Sequence, residues 1–72
     1  MTVEQRKQLV KEMEELLTKS KCALSRGDFV TAEIYEEKYY SMERTLIILG
    51  YKVETNKETC TVNISNNEEV KL

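Results

Sequence analysis

Residues 25–29, Ser-Arg-Gly-Asp-Phe, lie between two long runs of helix-forming residues in a chain of 72 residues without proline. Gly27 suits the left-handed position just after a helix, and Asp28 suits the N-cap of the next one. We therefore predict a tight turn at residues 26–28. The triplet Arg-Gly-Asp also spells an integrin-binding motif, but a turn accounts for all three residues. Because the turn is short, the two helices are expected to lie antiparallel as neighbours.

The first helix is predicted over residues 2–25, where Thr2 can act as N-cap and Gln5 can complete a capping box. Apolar residues recur along it at intervals of three, four and seven, which is typical of a helix with one buried face. They are Val3, Leu9, Val10, Met13, Leu16, Leu17, Ala23 and Leu24. This stripe is expected to pack against the second helix.

The second helix is predicted over residues 29–49 and should end before Gly50, a second left-handed C-terminal glycine. Its main apolar seam, which should face the first helix, consists of Ala32, Tyr35, Tyr39, Met42, Leu46 and Leu49. Two further apolar stripes consist of Phe29, Tyr40 and Ile47, and of Val30, Ile34 and Ile48. A lone pair of helices cannot bury all three faces, so another protomer, the C-terminal segment or a different protein should cover the remainder.

After the second helix, apolar and polar residues alternate with a period of two, which is typical of strands. Residues 51–65 predict a β-hairpin that turns at residues 56–58, with Cys60 in an apolar strand position. A two-stranded hairpin is marginally stable alone. It is therefore expected either to fold back on the side of Ile47 and Ile48 or to pair with the strand edge of another protomer.

These patterns predict a mainly α fold: an antiparallel two-helix hairpin in residues 1–50, a short C-terminal β-hairpin or extended segment, and a flexible polar tail at residues 66–72. A chain of this length buries only a small core. We therefore expect it to assemble as a helical-bundle oligomer. The expected interface with a partner or a second copy consists of Ile34, Tyr40, Leu46, Ile47, Ile48 and Tyr51.

Composition disfavours several classes of function. The net charge of −2 and the pI near 5.2 argue against a nucleic-acid partner, since duplex-binding domains usually carry a basic patch. Histidine is absent and the two cysteines lie far apart, so no metal site, cofactor or catalytic residue is predicted. The longest apolar run, residues 46–49, is too short to span a membrane. Without an apparent signal peptide, the chain is expected to be cytoplasmic.

The leading functional hypothesis is a non-enzymatic interaction module that binds a partner protein and occupies or bridges it, as a homo-oligomer. In size and acidity the chain resembles the small accessory proteins of bacteria and phages. The alternative is an oligomer that binds a small ligand, a nucleotide, with Lys38, Tyr40 and Arg44 supplying stacking and charge. A third hypothesis, a DNA-binding regulator, is weaker because the second helix carries glutamates where phosphate contacts would be needed.

Overall fold

The computed structural model describes residues 1–66. Its elements are, in chain order, α1 (Val3–Ser25), α2 (Phe29–Ile48), β1 (Tyr51–Asn56) and β2 (Thr61–Asn66). The mainly helical fold with a short two-stranded antiparallel sheet is thus confirmed. Asn66, the first residue of the predicted tail, is the last residue of β2. The rest of that tail, residues 67–72, lies outside the described residues.

Hydrogen bonds at the start of α1 explain why the helix begins where it does. The backbone N–H of Gln5 donates to the Thr2 hydroxyl over 3.1 Å, and the backbone N–H of Thr2 donates to the side-chain oxygen of Gln5 over 2.9 Å. This reciprocal pair is the predicted capping box. It satisfies two backbone donors that the first turn of a helix cannot satisfy by itself.

The turn between the helices uses glycine for its conformation and aspartate for its cap. Gly27 has φ of 75°, and the N–H of Asp28 donates to the carbonyl of Ala23 over 2.9 Å. This pattern ends α1 in a left-handed C-terminal motif. The Asp28 carboxylate then accepts from the N–H of Thr31 over 3.2 Å. Its hydrogen bonds with Thr31, assisted by the charge of Arg26, hold the pKa of Asp28 below its usual value.

The two strands form an antiparallel hairpin in which Val53 lies opposite Ile64. The side chain of Asn56 closes the connection by accepting from the backbone N–H groups of Glu58 and Thr59 over 3.0 and 3.2 Å. The prediction that Cys60 occupies a strand position is wrong, because Cys60 is the last residue of the turn and has φ of 55°. Alternating polarity does not reveal such a left-handed residue.

The sheet packs on the helical pair, with β1 against α2 and β2 against α1. The buried apolar residues come from three of the four elements: Met13, Leu17, Ala23, Ala32, Tyr39, Leu46, Val62 and Ile64. One polar contact fixes this docking further, since the backbone N–H of Val62 donates to the Glu14 carboxylate over 2.9 Å. The helices and the sheet therefore share one core.

The hairpin leaves the side of Ile47 and Ile48 uncovered, which corrects one of the two dockings that the sequence suggested. Ile47 is 55% exposed and Ile48 is 76% exposed. The reason is that the inward-facing side of the sheet packs against the core: Ile64 lies in the cluster that contains Leu17 and Tyr39. The hairpin therefore covers the groove between the helices and not the outer side of α2.

The core position of Ile64 gives a first prediction. Ile64 is 1% exposed, so we expect Ile64→Ala to lower the free energy of unfolding by about 2–5 kcal/mol, as buried Ile-to-Ala changes do. The measurement is urea unfolding followed by circular dichroism. Val3→Ala is the control, because Val3 is 66% exposed and should change stability by no more than about 0.5 kcal/mol. Equal losses in the two variants would contradict a core that includes β2.

Tyr39 gives a second prediction, on alkaline pH. Its ring is buried and its hydroxyl forms a hydrogen bond with that of Thr55, and burial raises the pKa of Tyr39 above its usual 10.0. Above pH 10 the unfolded chain therefore loses the Tyr39 proton before the folded one does, so stability should fall as pH rises through this range. Unfolding curves between about pH 9 and 11 should show a smaller fall for Tyr39→Phe than for the parent. Identical slopes would contradict this assignment.

Candidate interaction surface

Large apolar side chains remain exposed along α2 and at its C-terminal end. Between 48% and 76% of each one's surface is accessible. They are Phe29, Val30, Ile34, Ile47, Ile48 and Leu49, and we refer to them as the α2 apolar surface. Side chains of this kind gain free energy when another surface covers them. The α2 apolar surface is therefore the main candidate for a binding site.

The helical repeat explains why these residues escape the core of their own chain. At about 100° per residue, Ile34 and Ile48 lie within about 40° of each other around α2. Tyr39 and Leu46 lie on the side that faces α1 and the sheet, where both are buried. Ile34 and Ile48 consequently point away from every other element among residues 1–66, and they are exposed.

The six residues predicted for the interface separate into two groups in the structure. Ile34, Ile47 and Ile48 are exposed, and Tyr40 is 37% exposed. Leu46 is only 5% exposed because its seam position packs it into the shared core. Tyr51 belongs with Leu46 in the second group, because it is half-buried at the start of β1 and packs against the same core.

Two shallow apolar depressions adjoin the C-terminal end of α2. Both are lined by Leu9, Leu46 and Leu49. One, of about 320 Å³, extends along α2 past Met42. The other, of about 530 Å³, extends to Tyr51. Leu9, Met42 and Leu49 were predicted only as contacts between α1 and α2, but all three line these depressions or one of them, and Leu49 is 67% exposed.

Tyr40, predicted as a ligand residue, is engaged by a lysine from the β-hairpin. The Lys57 ammonium donates to the Tyr40 hydroxyl and lies 5.1 Å from the centre of its ring. The hydrogen bond to Tyr40 raises the pKa of Lys57. Tyr40 also packs edge-to-face on Tyr39, with ring centres 5.5 Å apart. These contacts fasten the turn of the hairpin to α2.

The groove beside Tyr40 is small. It has a volume of about 150 Å³, whereas small-molecule sites usually measure about 300–1,000 Å³. Its lining residues are Leu17, Ser20, Lys21, Leu24, Glu36, Tyr39, Tyr40 and Lys57. Lys38 and Arg44, the other two predicted ligand residues, do not line it. Since Lys38 lies about 200° around the helix from Tyr40, the structure does not gather the three residues into one pocket.

Two long-range polar contacts that hold the hairpin in place have no signal in the sequence. Lys21 donates to the carbonyl of Glu58 over 2.8 Å, across 37 positions of the chain. Glu14 accepts from the N–H of Val62 across 48 positions. Neither pair belongs to a motif, and each member alone reads as an ordinary residue of a helix face or a turn. Only the packing of the sheet brings them together.

The remaining side chains offer little other chemistry. Within residues 1–66, no group of three or more histidine, cysteine, aspartate or glutamate residues is placed to hold a metal ion. Cys22 and Cys60 are free thiols, the first exposed and the second half-buried. Over the same range, neither helix combines the length and the apolar character needed to cross a membrane.

Comparison with known proteins gave no match: no family model fits the chain, and no curated protein or solved structure is significantly similar to it. The α2 apolar surface and the contacts around it are therefore the basis for a functional proposal. Among the described residues, the side chains of this surface are large, apolar and exposed, and the core does not use them.

The volume of the groove beside Tyr40 gives a third prediction. Because the groove is too small for a nucleotide, a thermal-shift screen against common nucleotides should leave the melting temperature unchanged, since only a ligand that binds the folded state raises it. Tyr40→Ala and Arg44→Ala should behave like the parent in the screen. A nucleotide-dependent rise that both substitutions abolish would instead support the nucleotide site with Lys38, Tyr40 and Arg44.

Proposed function

We propose that this protein is a non-enzymatic interaction module that binds a partner protein, occupies or bridges it, and associates with copies of itself. The observation that carries the proposal is the α2 apolar surface, with Ile48 at 76% exposure and its neighbours about half exposed or more. Monomeric proteins seldom keep this many large apolar side chains on one helix in contact with water. We expect the surface of a second protein molecule to cover these side chains.

The energetic case rests on the exposure of these side chains within the described part of the chain. Full burial of one such side chain contributes about 1.5–3 kcal/mol, and association must first offset the loss of translational and rotational freedom, which costs at least about 4 kcal/mol. Several of these residues must therefore be covered together for binding to be stable. The β-hairpin does not compete for them, because it is already docked over Leu17 and Tyr39.

The architecture also suits a bridging role. The sheet occupies one side of the helical pair, and the α2 apolar surface lies outside the contact between helices and sheet. Two copies joined through α2 would keep their sheet-covered sides free, so that the assembly presents the same surface twice. The exposed free thiol of Cys22 suits the reducing cytoplasm, where we propose that the module acts.

A fourth prediction tests this proposal by mass measurement in solution. Light scattering over a concentration series should show the parent as an oligomer. Ile47→Asp and Ile48→Asp should shift it toward the monomer, because each places a charge in the contact surface where burial without a partner is costly. The folded state should persist in both variants, since both residues are exposed within the chain.

Val3→Asp is the matched control. Val3 is also an exposed apolar residue, but it lies in the first turn of α1, where an acidic side chain is favourable. It should leave the mass of the assembly unchanged. A parent that stays monomeric over the whole series would count against self-association, and equal losses in all three variants would show that the contact lies elsewhere.

A further inference from the structure

We infer that a second copy of this chain docks on α2 in antiparallel orientation, with Ser41 on the two-fold axis. This inference rests on the proposed function, because it specifies the surface through which the copies associate. It follows from the order of apolar and charged residues along the exposed side of α2. Ile34, Ser41 and Ile48 lie there at intervals of seven residues, and all three are exposed.

The apolar residues are symmetrical about Ser41. An interval of seven residues brings a side chain back to within about 20° around the helix, so the three residues form one line along α2. A two-fold axis at Ser41 places Ile34 of one copy opposite Ile48 of the other. The same axis also places Ile48 of the first copy opposite Ile34 of the second. The small side chain of Ser41 meets its own counterpart, which permits an ordinary spacing of about 8–10 Å between the helix axes.

The charges beside this line are also complementary about Ser41. Glu37 and Arg44 lie on the same flank, about 40° and 60° around the helix from Ser41. In an antiparallel pair related by a two-fold axis, each flank faces the same flank of the other copy. Glu37 then lies within about 1.5 Å, along the helix axis, of Arg44 of the second copy. The axis generates this opposite-charge pair twice.

A parallel pair would use these charges differently. A two-fold axis parallel to the helices brings opposite flanks together, so that Glu37 would lie beside Lys38 of the second copy and Arg44 beside the uncharged Thr45. In the antiparallel pair, the two Arg44 residues are offset by about 9 Å and the two Glu37 residues by about 12 Å along the axis. On the other flank Lys38 faces the uncharged Thr45. The antiparallel orientation is favoured because it opposes the two helix dipoles and because the Arg44 guanidinium can bind a carboxylate through two parallel N–H donors, which the Lys38 ammonium cannot do.

A second copy fits this pattern better than an unrelated protein. Within one chain, Glu37 and Arg44 are seven residues apart, about 10.5 Å along the helix, which is too far for the two to pair with each other. Both side chains are exposed, and neither has an ion-pair partner among residues 1–66. An unrelated partner would not require both members of a charge pair on the same helix, at equal distances from one residue.

The test is a charge exchange measured through the dissociation constant of the dimer, by light scattering or sedimentation. Glu37→Arg and Arg44→Glu should each weaken association by about tenfold or more, because each replaces two attractive contacts with two repulsive ones. The double variant Glu37→Arg/Arg44→Glu restores opposite charges and should return to within about threefold of the parent. Higher salt should reduce the effect of the single exchanges.

Glu54→Arg is the matched control, because it makes the same change of charge at an exposed residue of β1. It should leave the dissociation constant unchanged. If Ile48→Asp dissociates the parent dimer but the single exchanges do not, the antiparallel geometry is overturned and the interaction module stands. A monomeric parent would overturn self-association itself.

Disulfide formation provides an independent measurement of the geometry. In a Cys22→Ser/Cys60→Ser background, Ser41→Cys should form a covalent dimer on mild oxidation, because a residue on the axis meets its own counterpart within disulfide reach. Thr18→Cys, at an exposed position of α1, should remain reduced. Equal crosslinking of the two variants, or none in Ser41→Cys when light scattering shows a dimer, would place the axis elsewhere.

Discussion

A helix with apolar residues on three sides needs three neighbours, and α2 has two among residues 1–66. The first is α1, which covers the seam that contains Tyr39 and Leu46. The second is the β-hairpin, which also docks on that seam and leaves the other sides of α2 open. Every functional inference about this protein follows from that shortage of cover. The hairpin adds to the core but does not reduce the exposure of Ile48.

The position of the hairpin is determined by contacts at several points along its length. Val53 and Ile64 pack on the helices, while Glu14 binds the backbone of β2. At the turn, Lys57 binds Tyr40. A two-stranded sheet is marginal alone, so these contacts are what make it stable, and they also prevent it from moving onto the outer side of α2. The same interactions that complete the core therefore keep the α2 apolar surface accessible.

The sequence predicts the local structure well because the decisive signals are local. The capping box at Thr2 and the left-handed Gly27 set the helix limits within a few residues of chain. The side on which the hairpin docks depends on contacts between residues 37 and 48 positions apart, and no local pattern encodes them. Leu46 was predicted both in the seam that faces α1 and at the partner interface, and the structure buries it in the core. Lys57, an ordinary turn residue by sequence, binds Tyr40 because of the docking of the hairpin.

The polar centre of the proposed dimer contact has a physical role of its own. An isoleucine in place of Ser41 would join the apolar residues on either side into an unbroken stripe, which would associate more strongly but with little choice of register or orientation. A small polar residue between Ile34 and Ile48 reduces the apolar area of the contact. The charges of Glu37 and Arg44 beside it favour one alignment of the two helices over alignments shifted along the axis. Exposed charge pairs contribute little strength, so their effect is mainly on specificity. A contact of this composition would therefore be selective and reversible.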